Sequence, residues 1–167
     1  YFYGHALRLR PQEDPHARFA LWFGKLVHET LEVTLRDHPG NVTETTLLEA
    51  FDSVVANKSG EWVAARWMTG ALKQRFAPLA RHLPEMETAL NALTGTRTPL
   101  RFEESFEFPV GDVLLQGRMD RVDKLSDGSV LVLDYKTGSV DFSPDHVRKG
   151  QHFQALVYLL AAQQKYH

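Results

Sequence analysis

The spacing of apolar residues changes near residue 97 of this 167-residue chain. Upstream, apolar side chains recur every three or four residues, as they do on one face of a helix. Downstream, they alternate with polar residues and are rich in Phe, which is typical of strands with one buried face. The change predicts an α+β domain. We expect a single domain with a mainly helical part over 1–97 and a sheet followed by a helix over 98–167.

Capping residues and prolines set the predicted helix bounds. Asp14 is a suitable N-cap for a helix that begins at Pro15, because proline needs no N–H in the first turn. Pro78 and Pro84 should end or kink helices, since each lacks an N–H and its ring clashes with the preceding turn. Gly95 closes the last helix of this part. The predicted helices cover residues 15–38, 46–56, 61–76 and 85–93.

The second part predicts three antiparallel strands, and one loop decides how two of them pair. A three-residue loop over 126–128, with Gly in the left-handed position, opposes Asp120 to Asp134. A two-residue loop over 127–128 opposes Asp120 to Tyr135 instead. The spacing alone leaves both registers open. The predicted strands cover residues 101–110, 113–123 and 130–136, and a helix over 151–163 follows.

Asp134 and Lys136 share one parity in the third predicted strand, so their side chains should point to the same face. If Asp120 lies opposite Asp134, two like charges meet and destabilise the strand pair. A divalent cation removes that penalty, and carboxylate oxygens suit Mg²⁺ or Mn²⁺. Lys136 could then orient or deprotonate a water and stabilise charge at a phosphate. The alternative is an exposed edge lysine paired to a neighbouring acid.

Composition excludes several classes of site. The chain has no cysteine, which rules out disulfides, zinc–thiolate sites and cysteine-held iron–sulfur clusters, and it suggests a cytoplasmic location. The 19 basic and 21 acidic residues give a net charge of −2, so any phosphate-binding surface must be local. No apolar run approaches the roughly 20 residues of a membrane helix. The chain begins without Met, and we expect it to be a piece of a longer chain.

Four motifs, in order, resemble the RecB/AddB branch of the PD-(D/E)XK nuclease superfamily. They are GxxxH, GxxDRxD, DYKTG and QxxxY, at residues 24–28, 117–123, 134–138 and 154–158. The resemblance implies a restriction-endonuclease-like core, with a central, mainly antiparallel sheet flanked by helices. Many relatives hold an iron–sulfur cluster with four cysteines, so the missing cysteines argue against that subgroup.

The resemblance also assigns roles to individual residues. His28, Asp120 and Asp134 would be metal ligands, together with the carbonyl of Tyr135. Asp120, Asp134 and Lys136 would be the catalytic residues. Without the resemblance, His28 reads as a satisfied histidine at the edge of an apolar helix face.

Three further residues have supporting roles by the same resemblance. Gln154 and Tyr158 would support the active site or contact DNA, although their spacing alone favours packing. The branch often carries another Glu on the preceding strand. Here it is Glu103 or Glu104, and the spacing to Phe106 favours Glu103.

We therefore expect a DNA nuclease that depends on Mg²⁺ or Mn²⁺ and holds no iron–sulfur cluster. It would act as an exonuclease without sequence specificity in recombination and repair, as the nuclease module of a helicase–nuclease or as a stand-alone exonuclease relative. Its partners would be DNA and a helicase domain or subunit. No Walker A motif occurs in this chain, so any ATP-driven motor would lie elsewhere. The alternatives are an inactive, DNA-binding scaffold and a small-molecule metal hydrolase, which would have a closed pocket.

Overall fold

The computed structural model describes residues 15–58, 63–137, 145 and 153–166. Its strands form one antiparallel, three-stranded sheet in the order β1-β2-β3, with helices before and after it. This arrangement confirms the predicted α+β class. Among the described residues, no helix is long and apolar enough to cross a membrane. The elements are α1 (Pro15–Asp37), α2 (Glu44–Lys58), α3 (Val63–Thr94), β1 (Arg97–Val110), β2 (Val113–Leu125), β3 (Val130–Leu133) and α4 (Phe153–Tyr166).

Helices α1, α2 and α3 share one apolar core. At its centre the rings of Phe51 and Phe76 stack with centroids 4.4 Å apart, and Leu47 is fully buried beside them. Phe102 from β1 and Tyr135, just after β3, pack against the same core. The sheet is therefore attached to the helical part through these two aromatic side chains.

Local hydrogen bonds explain two of the helix bounds. The N–H of Thr46 donates to Thr43 Oγ1 at 3.1 Å, and the N–H of Thr43 donates to Thr46 Oγ1 at 3.0 Å. This reciprocal cap starts α2 at Glu44, two residues earlier than predicted. At the end of α3, Gly95 has a φ of +76° and donates to the Asn91 carbonyl at 2.9 Å. The predicted glycine stop is confirmed.

The prediction that proline divides the third helix is wrong. Helix α3 runs unbroken through Pro78 and Pro84. Each interior proline costs about 3 kcal/mol or more. Phe76, Ala80 and Leu83 nevertheless bury their side chains in the helical core on either side of the prolines. Burial of one large apolar side chain contributes about 1.5–3 kcal/mol, so tertiary packing offsets the local cost.

The hairpin between β2 and β3 has the register of the three-residue loop. Arg121 pairs with Leu133, and continuing this register by one residue places Asp120 opposite Asp134. Gly128 occupies the left-handed position, with a φ of +89°. The loop geometry thus decides between the two registers that the sequence left open.

Three predicted strand ends are wrong, and one of them is the end of β2, which lies at Leu125 and not at 123. Strand β3 ends at Leu133, not at 136. The reason is that the N–H of Tyr135 donates to Asp120 Oδ2 at 2.8 Å, not to a neighbouring strand. Strand β1 begins at Arg97, not at 101. The guanidinium of Arg97 donates to the buried carboxylate of Asp123 at 2.7 Å. This bond holds the start of β1 against β2.

A second apolar cluster lies between the sheet and α4. It contains Phe106, Met119 and Val122 from the sheet and Ala161 from the helix. The Phe106 ring covers Gly117, where an added Cβ would lie 2.4 Å from the ring carbon Cζ. The glycine of the GxxDRxD motif is therefore required by packing, since any side chain would collide with the ring.

Four predicted features lie outside the described residues. They are the Asp14 cap, the start of the third helix at 61, the start of the final helix at 151, and Gly138 of the DYKTG motif.

Candidate active site

Three acidic residues lie in a row across the sheet. Phe102 of β1 pairs with Arg121 of β2, so the next residue along, Glu103, lies opposite Asp120. Asp134 lies opposite Asp120 on the other side, in the register described above. We call Glu103, Asp120 and Asp134 the acid row. Strand pairing alone brings these carboxylates together from three separate segments.

Glu103 has an unusual backbone conformation. Its φ of +50° lies in the left-handed region, which costs a residue other than glycine about 1–3 kcal/mol. The structure places Glu103, and not Glu104, beside Asp120. Glu104 instead accepts a hydrogen bond from Lys165 Nζ of α4 at 2.5 Å.

His28 of α1 faces two members of the acid row. Its Nε2 lies 2.9 Å from the Tyr135 carbonyl oxygen, which can only accept a hydrogen bond. Nε2 therefore carries a proton, which leaves Nδ1 as the ring nitrogen that can offer a lone pair to a cation. Nδ1 lies 3.6 Å from Asp120 Oδ1 and 3.7 Å from Glu103 Oε1.

The first glycine of the GxxxH motif lies one turn before His28. A Cβ on Gly24 would lie 3.4 Å from Thr137 Oγ1, at the limit of ordinary contact. The small residue thus allows the segment after Lys136 to approach α1 closely. This approach is a packing reason for the motif glycine.

The side chains of His28, Glu103 and Asp120 fit a divalent cation. Their candidate ligand atoms all lie within 4.8 Å of one another. Two carboxylates and one imidazole nitrogen suit Mg²⁺ or Mn²⁺. A bond from the other ring nitrogen of a histidine to a carbonyl, as between His28 and Tyr135, is the usual support for a metal ligand. The Tyr135 carbonyl keeps a second lone pair for the ligand role that the resemblance assigns to it.

Asp134 lies beside this group of ligands and not within it. Lys136 Nζ lies 2.6 Å from Asp134 Oδ2 and donates to Gln154 Oε1 at 3.0 Å. Gln154 Nε2 donates to Tyr158 Oη at 2.7 Å and to Asp134 Oδ1 at 3.3 Å. The four side chains form a closed polar ring, so the QxxxY motif of α4 contacts the predicted catalytic lysine.

Burial and charge shift the pKa values of two groups in the site. Burial raises the pKa of Asp120, and the negative charge of Asp134 adds to the rise. The N–H of Tyr135 and the charges of His28 and Lys136 oppose it. Burial, followed by the charge of Asp134, raises the pKa of Tyr158 to about 12. Tyr158 is therefore protonated at neutral pH. Its hydroxyl can donate a hydrogen bond to the Arg118 carbonyl at 2.9 Å or to Asp134 Oδ1 at 3.2 Å.

Comparison with known proteins agrees with this geometry. The PD-(D/E)XK nuclease superfamily matches residues 1–167. The chain belongs to this superfamily. It is also 23% identical over 165 residues to an ATP-dependent helicase/deoxyribonuclease subunit of Streptococcus pyogenes serotype M1, and 24% identical to the serotype M6 protein of the same name. Each match covers 98% of this chain, and the chain spans about 15% of the length of these relatives. The resemblance drawn from the four motifs is confirmed.

A set of largely buried charged residues lies next to the acid row of this nuclease-superfamily chain. No role for these residues was predicted from the sequence. Arg121 is 2% exposed and Asp123 is 0% exposed. Arg121 donates two hydrogen bonds to the Asp123 carboxylate in a bidentate arrangement, each 2.6 Å long. Arg121 also donates to Glu87 of α3 at 2.8 Å, and Arg97 bonds to Asp123 and Glu87 at 2.7 and 2.6 Å. We call these four residues the buried charge cluster. The spacing of Arg and Asp in GxxDRxD, two residues apart on one strand face, was the available signal.

The buried charge cluster is joined to the site through Tyr135. Arg121 donates to Tyr135 Oη at 3.0 Å. Burial raises the pKa of this hydroxyl to about 12, despite the nearby guanidinium charge. The backbone of the same tyrosine bonds to Asp120 through its N–H and to His28 through its carbonyl. The cluster therefore anchors the residue that orients two of the candidate ligands.

A cleft of about 880 Å³ opens at the acid row and follows α1. His28, Glu103 and Asp120 line one part of it, together with Arg118. Arg118 Nε lies 2.7 Å from Glu103 Oε2, and its side chain is 59% exposed. No residue spacing in the sequence links Arg118 to Glu103. The contact can be recognised only when the register between β1 and β2 is known.

Proposed function

We propose that this chain is a deoxyribonuclease that depends on Mg²⁺ or Mn²⁺ and hydrolyses phosphodiester bonds. One observation carries the proposal. His28, Glu103 and Asp120 converge on one point, and the pair of Asp134 and Lys136 lies directly beside them. A cation-binding group next to a positive side chain is the arrangement that phosphodiester hydrolysis requires.

In the proposed reaction, the oxygen of a water forms a bond to phosphorus and the bond from phosphorus to the leaving oxygen breaks. The attacking water loses a proton, and the leaving oxygen gains one. His28, Glu103 and Asp120 would hold the cation, which would lower the pKa of a bound water and neutralise phosphate charge. Lys136 orients the water or stabilises the charge that develops on the phosphate, as its sequence position predicted.

Gln154 and Tyr158 serve as positioning residues in this proposal. Lys136 donates to Gln154, and Gln154 donates in turn to Tyr158 and Asp134. These bonds restrict the conformations of a long lysine side chain that is otherwise half exposed. Asp134 keeps the role of a catalytic acid and metal ligand, which it would take up by releasing part of this ring.

We further propose that residues 1–167 form one nuclease module of a longer chain in the cytoplasm. The relatives are ATP-dependent helicase/deoxyribonuclease subunits, which supports a partner helicase and a role in recombination and repair. We propose exonuclease activity without sequence specificity, because the four motifs contain no element that reads bases. Retention of His28, Asp120, Asp134 and Lys136 disfavours the inactive scaffold.

The test is cleavage of end-labelled single- and double-stranded DNA with Mg²⁺ or Mn²⁺. We expect Lys136→Met to lower the cleavage rate about a hundred- to a thousandfold, the usual effect of removing one donor that stabilises developing charge. Lys124→Met is the matched control, since Lys124 is an exposed lysine of β2 outside the cleft, and it should cleave like the wild type.

Circular DNA separates the finer parts of this proposal. An exonuclease degrades the linear form and spares the closed circle. A wild-type chain that cleaves no DNA with either metal would overturn the proposed activity. Equal rates for Lys136→Met and Lys124→Met would overturn the assigned site.

A further inference from the structure

Arg118 contacts Glu103, a carboxylate that a cation bound to the acid row would also use. Its Nε lies 2.7 Å from Glu103 Oε2, while the other oxygen of the same carboxylate faces His28 Nδ1 at 3.7 Å. Glu103 is therefore shared between a positively charged arginine and the candidate metal ligands. In this arrangement the guanidinium neutralises the carboxylate that a metal ion would need.

The backbone of Arg118 is fixed although its side chain is free to move. Arg118 pairs with Ser105 inside the sheet, and its carbonyl can accept a hydrogen bond from Tyr158 at 2.9 Å. The side chain is 59% exposed and lines the cleft next to Asp120. A guanidinium on a rigid strand can thus leave Glu103 without any change in the fold.

We propose that Arg118 exchanges partners during the binding of metal and substrate. When a divalent cation takes the Glu103 carboxylate, Arg118 turns into the cleft and binds a phosphate of the DNA strand. The planar guanidinium can donate two parallel hydrogen bonds to the oxygens of one phosphate. This inference rests on the proposed function, because DNA is the substrate named there.

The exchange makes Arg118 act in opposite directions on the two ligands. It competes with the cation for Glu103, so it weakens metal binding to the chain alone. It attracts DNA once the metal is bound. A residue that merely supported the shape of the site would weaken both when removed.

The first measurement is Mn²⁺ affinity without DNA, by calorimetric titration of the wild type and of Arg118→Gln. We expect the variant to bind Mn²⁺ about two- to fivefold more tightly, which is the range an exposed ion pair contributes. Arg118→Lys, which keeps a charge near Glu103, should stay close to the wild type. Unchanged or weaker Mn²⁺ binding by Arg118→Gln would overturn the exchange.

The second measurement is the affinity for a labelled oligonucleotide at saturating Mn²⁺, by fluorescence anisotropy. Both chains carry Lys136→Met, so that the strand is not cut. We expect Arg118→Gln to bind DNA about tenfold more weakly, as for one lost hydrogen bond to a charged group. The slope of log affinity against log salt should fall by about one, as for one lost phosphate contact.

Arg101→Gln is the matched control, since Arg101 is an exposed arginine of β1 outside the cleft. It should leave both affinities unchanged. Equal DNA binding with and without Arg118 would overturn the phosphate contact. Both readouts are binding constants, so a wild type that fails to cleave DNA counts against the proposed function and leaves this test intact.

Discussion

Strand β2 contributes two neighbouring residues, Asp120 and Arg121, to two groups of charged residues that differ in almost every property. The buried charge cluster contains two arginines and two carboxylates, and its charges balance within the protein. The acid row contains three carboxylates, and only two of them contact a lysine or an arginine side chain in the described structure. The cluster is largely buried, with only Glu87 partly exposed, whereas Glu103 and Asp120 of the acid row line the open cleft.

The difference shows how one strand can serve both stability and chemistry. Buried charges are tolerable only when each has a partner of opposite sign, because water no longer screens or solvates them. The acid row has an excess of negative charge, which leaves room for an external cation. Tyr135 connects the two groups, so the buried charge cluster helps to hold Asp120 of the acid row in place.

The largest expected effect tests whether the buried charge cluster is structural. Arg121→Met should destabilise the fold by about 3–5 kcal/mol, because it leaves buried carboxylates without a full counter-charge. The same replacement in the open group, Arg118→Met, should cost less than about 1 kcal/mol, since exposed ion pairs contribute little. Urea unfolding of both variants measures the difference. Similar losses for the two arginines would remove the distinction drawn here.

The next effect tests the excess charge of the acid row. Mn²⁺ at about 100 times its dissociation constant should stabilise the wild type by about 2.7 kcal/mol, because it binds only the folded chain. Asp120→Asn should lose most of this gain. Asp112→Asn, at the exposed turn between β1 and β2, should keep it. The measurement is unfolding with and without Mn²⁺, and an equal gain in both variants would place the cation elsewhere.

The smallest effect tests strain within the acid row. Glu103 has a φ of +50°, which glycine adopts without cost and alanine does not. Glu103→Gly should therefore be more stable than Glu103→Ala by about 1 kcal/mol, the lower end of the cost of such a conformation. At an ordinary strand position such as Glu107, the order should be reversed, because glycine weakens a strand. Thermal unfolding of the four variants makes the comparison.

Much of the fold could be predicted because it depends on interactions between residues close in sequence. Helix spacing, the stop at Gly95 and the strand after Gly111 are local features, and the structure has them near the predicted positions. The hairpin register also depends on a short loop, and the three-residue loop that the sequence favoured over the two-residue one is the loop found. The prolines of α3 were misjudged because burial in the helical core, which is not local, outweighed their cost.

Within the candidate site, the sequence predicted which residues would carry the chemistry, and the tertiary structure determined how they are combined. Alternation along a strand set Asp134 and Lys136 on one face, and the motifs pointed to His28 and Asp120. Only the folded chain sets Glu103 opposite Asp120, turns Nδ1 of His28 to both acids and joins Asp134 to α4. These contacts join residues 17 to 92 positions apart in the chain, and they form only when whole elements pack together. The buried charge cluster was missed for the same reason, since Glu87 and Arg121 meet only when α3 packs against the sheet.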